Sequence, residues 1–148
     1  MLTSLQIIDH IHTDTKIIDE ISLSYEDRFI RRKKLTANNG TEFLVNLEET
    51  KSVEENYYFK LDSGEVIKVI SKDENLIQIT GDNIKQIIWH IGNRHLPCQI
   101  EDSRILIKED PVIKDMIIKL GGNVTNVLEK FKPEGGAYGM GRTHTHQH

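Results

Sequence analysis

Cysteine is almost missing from this chain. Cys98 stands alone, which excludes an intrachain disulfide and any four-cysteine zinc module. A reduced compartment, the cytoplasm, is the expected location. Long apolar runs are missing too. Nothing approaches the roughly 20 apolar residues needed to span a bilayer. The opening MLTSLQIIDHIHTD has no basic region followed by an unbroken apolar stretch, so neither an export signal nor a membrane partner is expected. Positive charge is not in excess: 19 Lys and Arg stand against 23 Asp and Glu, a net charge of −4. That balance argues against a nucleic-acid partner, which would need clustered cations. There is no Gly-rich phosphate loop, no Gly-x-Ser-x-Gly and no Cys-x-x-Cys, and adjacent acids such as Glu48-Glu49 or Glu101-Asp102 are common surface features. No catalytic residue is expected, and the chain is read as not an enzyme.

What is present falls into three parts. Hydrophobic residues make up 37% of the 148, enough for one ordinary core or for two thin ones that would benefit from a partner. Residues 1–73 carry short β-branched runs at Ile7-Ile8, Ile17–Leu23, Glu42–Leu47 and Glu65–Ile70, with turn signals at Asn38-Asn39-Gly40 and Asp62-Ser63-Gly64. No helical period holds there, and the segment reads as a small all-β domain. Arg28 and Arg31 to Lys34 form a basic run whose expected place is a solvated strand edge.

The polar stretch Ser71–Asn75 breaks the apolar pattern and marks a boundary, after which the pattern changes in kind. Over 74–132 a strand at Leu76–Thr80 leads into a helix with Ile84, Ile87, Ile88 and Ile91 on one face. Asp82 is its expected cap, and Gly92-Asn93 its expected stop. Strands are expected at Pro97–Asp102 and Arg104–Lys108. Asp110-Pro111 opens a second helix carrying Ile113, Met116, Ile117 and Leu120; Gly121-Gly122 ends it, and Asn123–Phe131 is a last strand. The order β-α-β-β-α-β is that of a ferredoxin-like domain. Residues 133–148, with Gly at 135, 136, 139 and 141, read as a flexible tail. The fold class is therefore α+β.

Histidine carries the chemistry. Three of seven, His144, His146 and His148, alternate with Thr145 and Gln147 at the end. Imidazole is a common ligand for nickel, copper and zinc, and such a tail can wrap an ion; a tag or a solvated tail is the bland alternative. His95 follows Gly92-Asn93-Arg94 just past the helix and can serve as ligand, general base or cap. His90 is expected on the surface, and His10 and His12 share a side if Ile7–His12 is extended. Trp89 lies off the apolar stripe and points to contact with another chain. Cys98 is expected in the core. A small hydrolase built on His95 and a metal has no general base or three-ligand set.

Ile91-Gly92-Asn93-Arg94-His95-Leu96-Pro97 with Gln99-Ile100, Phe131-Lys132-Pro133-Glu134-Gly135-Gly136-Ala137-Tyr138-Gly139, and the histidine-ended tail together resemble urease accessory protein E. That family comprises nickel metallochaperones of bacterial urease maturation. The motifs lie within residues 84–148; over the first 70 the likeness is one of architecture. The resemblance implies a peptide-binding N-terminal domain and a homodimer formed through the second domain. It places a Ni²⁺ site between His95 and its symmetry mate, with His146, His148 and His144 as tail ligands. It further implies delivery to apo-urease in a maturation complex with an accessory GTPase; whether a metal-linked dimer of dimers forms around one ion is left open by the sequence. Met140 departs from the pattern, since similar tails often have histidine there. Zn²⁺ and Cu²⁺ remain competing ions, and affinity should fall as pH drops through about 6.5, where histidines protonate. A protein-interaction module with incidental metal binding is the alternative.

Overall fold

The computed structural model describes residues 1–135, which form two compact units dividing between Lys72 and Asp73. The first is a six-stranded sheet. Its strands are β1 (Leu2–Ile8), β2 (Ile17–Leu23), β3 (Phe29–Thr36), β4 (Glu42–Ser52), β5 (Tyr58–Leu61) and β6 (Val66–Ser71), in the order β2-β6-β5-β1-β4-β3. Pairing is mixed: β1 with β4 and β2 with β6 are parallel, and the rest antiparallel. Alternate residues turn inward, so Ile21 and Leu23 of β2 meet Phe43, Val45 and Leu47 of β4 in one core. Phe43 and Phe59 pack there with ring centroids 5.5 Å apart. Both expected turns are present, and Gly40 (φ +95°) and Gly64 (φ +92°) supply the left-handed residue each needs.

The basic run is an edge strand. β3 pairs only with β4, and Arg31 to Lys34 are exposed, which blunts that edge against stray pairing. Arg28 departs from the expectation. It is 3% exposed, and its Nη1 donates to Ser71 Oγ at 2.7 Å.

The second unit holds β7 (Asp73–Thr80), α1 (Ile84–Asn93), β8 (Gln99–Ile100), β9 (Ile105–Lys108), α2 (Pro111–Lys119) and β10 (Asn123–Lys130). Its four strands lie in the order β10-β7-β9-β8, every neighbour antiparallel. Ile77, Ile79, Ile105 and Ile107 project to one face. Ile87 and Ile91 of α1 and Ile117 of α2 cover them, so both helices share that face. The chain is thus α+β and sheet-rich. The polar stretch that reads as a break belongs instead to strand: β6 ends at Ser71 and β7 begins at Asp73, paired with Lys130 of β10. Ladder hydrogen bonds suffice there because the side chains need not be buried.

α2 starts as its sequence indicates. Asp110 accepts from the Val112 and Ile113 amides at 2.9 and 3.2 Å with Pro111 in the first turn. α1 does not: its cap is Asn83, not Asp82, and Asn83 makes no side-chain cap bond. Its amide donates across to the Leu120 carbonyl at the end of α2. Gly122 lets the two helices close on the sheet. A Cβ there would stand 2.7 Å from Ile87 Cδ1 and 2.8 Å from Ile117 Cγ2. Gly122→Ala should therefore cost about 1–3 kcal/mol by overpacking, measured as a lower urea midpoint with an unchanged m-value.

Candidate metal centre

α1 is amphipathic, with Ile87 and Ile91 buried, and its last turn presents the residues of interest. Gly92 lies within that turn and Arg94 is the C-cap. The left-handed residue that ends the helix is His95, at φ +57°. Its amide donates to the Gly92 carbonyl at 2.9 Å, and the Leu96 amide donates to the Ile91 carbonyl at 3.3 Å. These are the two bonds of a Schellman termination, completed by Leu96 packing on the core. The sequence suggests that Gly92 and Asn93 make the stop. The turn falls three residues later than Gly92, because burying Leu96 beside Ile91 fixes the register. Glycine is the usual residue at that position; a side chain there costs roughly 1–2 kcal/mol. The strain holds an exposed imidazole at the helix end.

A second element meets the segment that follows it. After β10 the chain crosses to β8. The Lys132 amide donates to Gln99 Oε1 at 2.8 Å and the Glu134 amide to the Cys98 carbonyl at 2.8 Å. The root of the C-terminal segment is thereby fixed three residues along the chain from His95. Cys98 is half-buried against the core. Burial, and then the charge of Glu134, push its thiol pKa up. That disfavours the thiolate a metal would need, in keeping with a packing role.

Two family profiles cover almost the whole chain. Residues 4–72 match the UreE urease accessory protein, N-terminal domain, and residues 74–148 match the C-terminal domain of the same family. The chain belongs to the UreE urease accessory protein family. It is 50% identical over 130 residues to the urease accessory protein UreE of Ruegeria pomeroyi, covering 88% of this chain and 87% of the relative. The corresponding protein of Rhodobacter capsulatus is 47% identical over 130 residues, 88% of this chain and 83% of its own length. That of Azorhizobium caulinodans is 36% identical over an alignment of 158 positions, all of this chain and 76% of the relative.

Within this UreE family member the other histidines are placed as follows. His90 is half-buried, with the exposed Trp89 ring edge-on to it at 5.1 Å, and its carbonyl accepts from Arg94 Nη1 at 3.3 Å. His10 and His12 do not share a strand, because β1 stops at Ile8. They lie on the loop that follows, exposed, lining an open pocket of about 660 Å³ with Tyr57 and Lys60. His10 Nδ1 is 2.7 Å from Asp9 Oδ1, a contact that lowers the Asp9 pKa. His144, His146 and His148 lie outside the described residues. Among the described residues no three His, Cys, Asp or Glu side chains gather to hold a metal. Sequence reasoning missed the left-handed backbone of His95 and the crossing at Lys132–Glu134. Neither leaves a periodic signal; only the Leu96 that follows the helix hints at the termination.

Proposed function

We propose that this protein is a nickel metallochaperone that carries Ni²⁺ to apo-urease during assembly of the urease active site. The observation that carries the reading is the strained His95 cap, with the root of the histidine-bearing C-terminus pinned to Cys98 and Gln99 a few residues further along the chain. One imidazole holds a labile ion weakly, so the site is completed by His95 of a second copy and by His144, His146 and His148. A homodimer through the second unit fits the large apolar side chains this unit leaves exposed, with Trp89 at 63%, Val112 at 76% and Ile118 at 51%. Its strand order, with both helices on one face, supports the ferredoxin-like assignment. Family membership supports a role in urease maturation, with the urease apoprotein complex and its accessory GTPase as recipients. Ligands shared between two chains and two tails can be shed one at a time, which allows both capture and release. Ni²⁺ is cargo here; Zn²⁺ and Cu²⁺ compete for the same nitrogen donors. Among the described residues no helix is long and apolar enough to cross a membrane, and a cytoplasmic location is part of the proposal.

Calorimetric titration with Ni²⁺ tests it, using protein purified without a metal column. Truncation after Thr143 should lower the affinity or the number of ions bound, and light scattering should report a dimer. A lone subunit in excess Ni²⁺, or unchanged binding in His95→Ala, overturns the reading.

A further inference from the structure

Each of the two sheets has two edges, and three of these four edges are guarded. In the first sheet the β3–β4 turn covers β2: the Asn38 amide donates to the Glu20 carbonyl at 2.8 Å, and the Ser22 amide donates to Asn38 Oδ1 at 3.2 Å. β3 carries the exposed cations Arg31 to Lys34. In the second sheet the segment after β10 runs along β8, with the Lys132 amide on Gln99 Oε1 and the Glu134 amide on the Cys98 carbonyl, both at 2.8 Å. β10 is the fourth edge, and it has none of these guards. It pairs with β7 over 8 residues in unbroken register and has no second neighbour. Asn123–Leu128 contains no charge, no proline and no bulge. Among the described residues no backbone group bonds to that stretch from the side away from β7. Thr125, Asn126 and Leu128 are exposed, Leu128 to 63%. A long, flat, uncharged edge is a template for another strand, and chains ordinarily blunt it.

The sequence of β10 fits a second copy of itself. Two identical antiparallel strands are related by a two-fold axis, so the same residue of each copy meets at the centre. With the axis at Asn126, Val124 stands opposite Leu128 of the second copy, and Thr125 opposite Val127, each pair occurring twice. Apolar and β-branched pairs of this kind stabilise sheets. Glu129 meets Asn123 and Lys130 meets Gly122, so no like charges stand opposite each other along the strands. Moving the axis to Thr125 sets Leu128 against Gly122; moving it to Val127 sets Val124 against Lys130. Lys114 of α2 reaches Asn126 Oδ1 at 3.4 Å. The two Lys114 ammonium groups flank the axis, and their repulsion is relieved by turning into water and by salt. Because the other edge of the sheet is covered, the pair closes on itself and does not grow into a fibre.

We propose that β10 is a self-association edge, at which two copies of this chain join antiparallel strands about Asn126 into one continuous sheet. The pairing needs no metal and uses none of Trp89, Val112 or Ile118, so it is separate from the dimer proposed above and can join two such dimers. A strand pair alone is small beside the roughly 1,200–2,000 Å² of a stable interface. The association is therefore weak and rises with concentration.

The test is sedimentation equilibrium of the full chain with a chelator present, over a wide concentration range. Wild type, Asn126→Lys, Asn126→Glu and an equimolar mixture of the two variants are compared. Wild type should gain mass with concentration. Each variant alone sets like charges on the axis and should weaken that step about tenfold or more. The mixture should regain it, which also shows that both variants are folded. Amide hydrogen exchange along β10 should slow as wild-type concentration rises. Equal masses for wild type and both variants, or a loss that mixing does not repair, overturn the proposal. Protection of the β10 edge that is already complete at low concentration means that the chain covers its own edge, and overturns it too. With no Ni²⁺ present, none of these outcomes bears on the metal site.

Discussion

His95→Gly should make the second unit more stable and a poorer metal carrier at once. The imidazole sits on a backbone at φ +57°, where a side chain costs roughly 1–2 kcal/mol. Glycine relieves that strain but gains about 0.5–1 kcal/mol of chain freedom when unfolded. The net expectation is about 0.5–1 kcal/mol of added stability, a Tm rise of roughly 2–6 °C. Binding moves the other way. Losing a group that merely orients a ligand costs about 10–100-fold in metal affinity, so on the proposed function, in which His95 is itself a ligand, its loss should cost about 100-fold or more. His95→Ala separates the two effects, because it keeps the strained backbone and removes only the ring. Calorimetric melts and Ni²⁺ titrations of both variants check this. If His95→Gly lowered the Tm, the histidine would be there for stability and the functional reading of its strain would be lost.

Asp19→Ala should destabilise the first unit at its β3–β4 turn. The Asp19 side chain is 4% exposed and serves the turn between β3 and β4. It accepts from the Glu20 amide at 2.7 Å, the Asn39 amide at 3.1 Å and the Thr41 amide at 3.3 Å. Burial pushes its pKa up, but hydrogen bonds from the Thr41 side chain and from these amides outweigh burial and leave it below the ordinary value. Alanine removes the acceptor of three amides, and because Asn38, Asn39 and Gly40 are exposed water replaces part of it, for a loss of about 1–3 kcal/mol; Asp19→Asn, which keeps one acceptor oxygen, should lose about half as much.

The same carboxylate has a pH signature. Its folded pKa lies below its unfolded one of about 3.9, so its contribution is complete above that value and lost as pH falls through the lower folded value. Urea unfolding of wild type and Asp19→Asn should therefore begin to converge only as pH falls below about 4. A constant gap between the two at every pH would show that the charge of Asp19 does not matter.

How much of this was legible beforehand differs element by element. Both helices were, because Ile84, Ile87, Ile88 and Ile91, and then Ile113, Met116, Ile117 and Leu120, repeat at helical spacing around a core that wants one face covered. The two turns at Gly40 and Gly64 were legible for a local reason as well: the chain there needs a residue that accepts positive φ. β5 and the polar start of β7 were not. Short or polar strands are held by ladder bonds to partners far along the chain, such as Asp73 to Lys130.

By itself, then, the sequence determined the α+β composition, the helices, the turns and the histidine motifs that carry the family resemblance. Local periodicity and side-chain chemistry act over a few residues and can be read in order. Only the tertiary structure decided that His95, rather than Gly92 or Asn93, ends α1. It also decided that Arg28 is buried and that the segment after β10 docks on β8. Each of these depends on which distant surface a residue meets: Leu96 on the second core, Arg28 on Ser71, Lys132 on Gln99. Packing of that kind is a property of the folded chain and leaves no pattern along it.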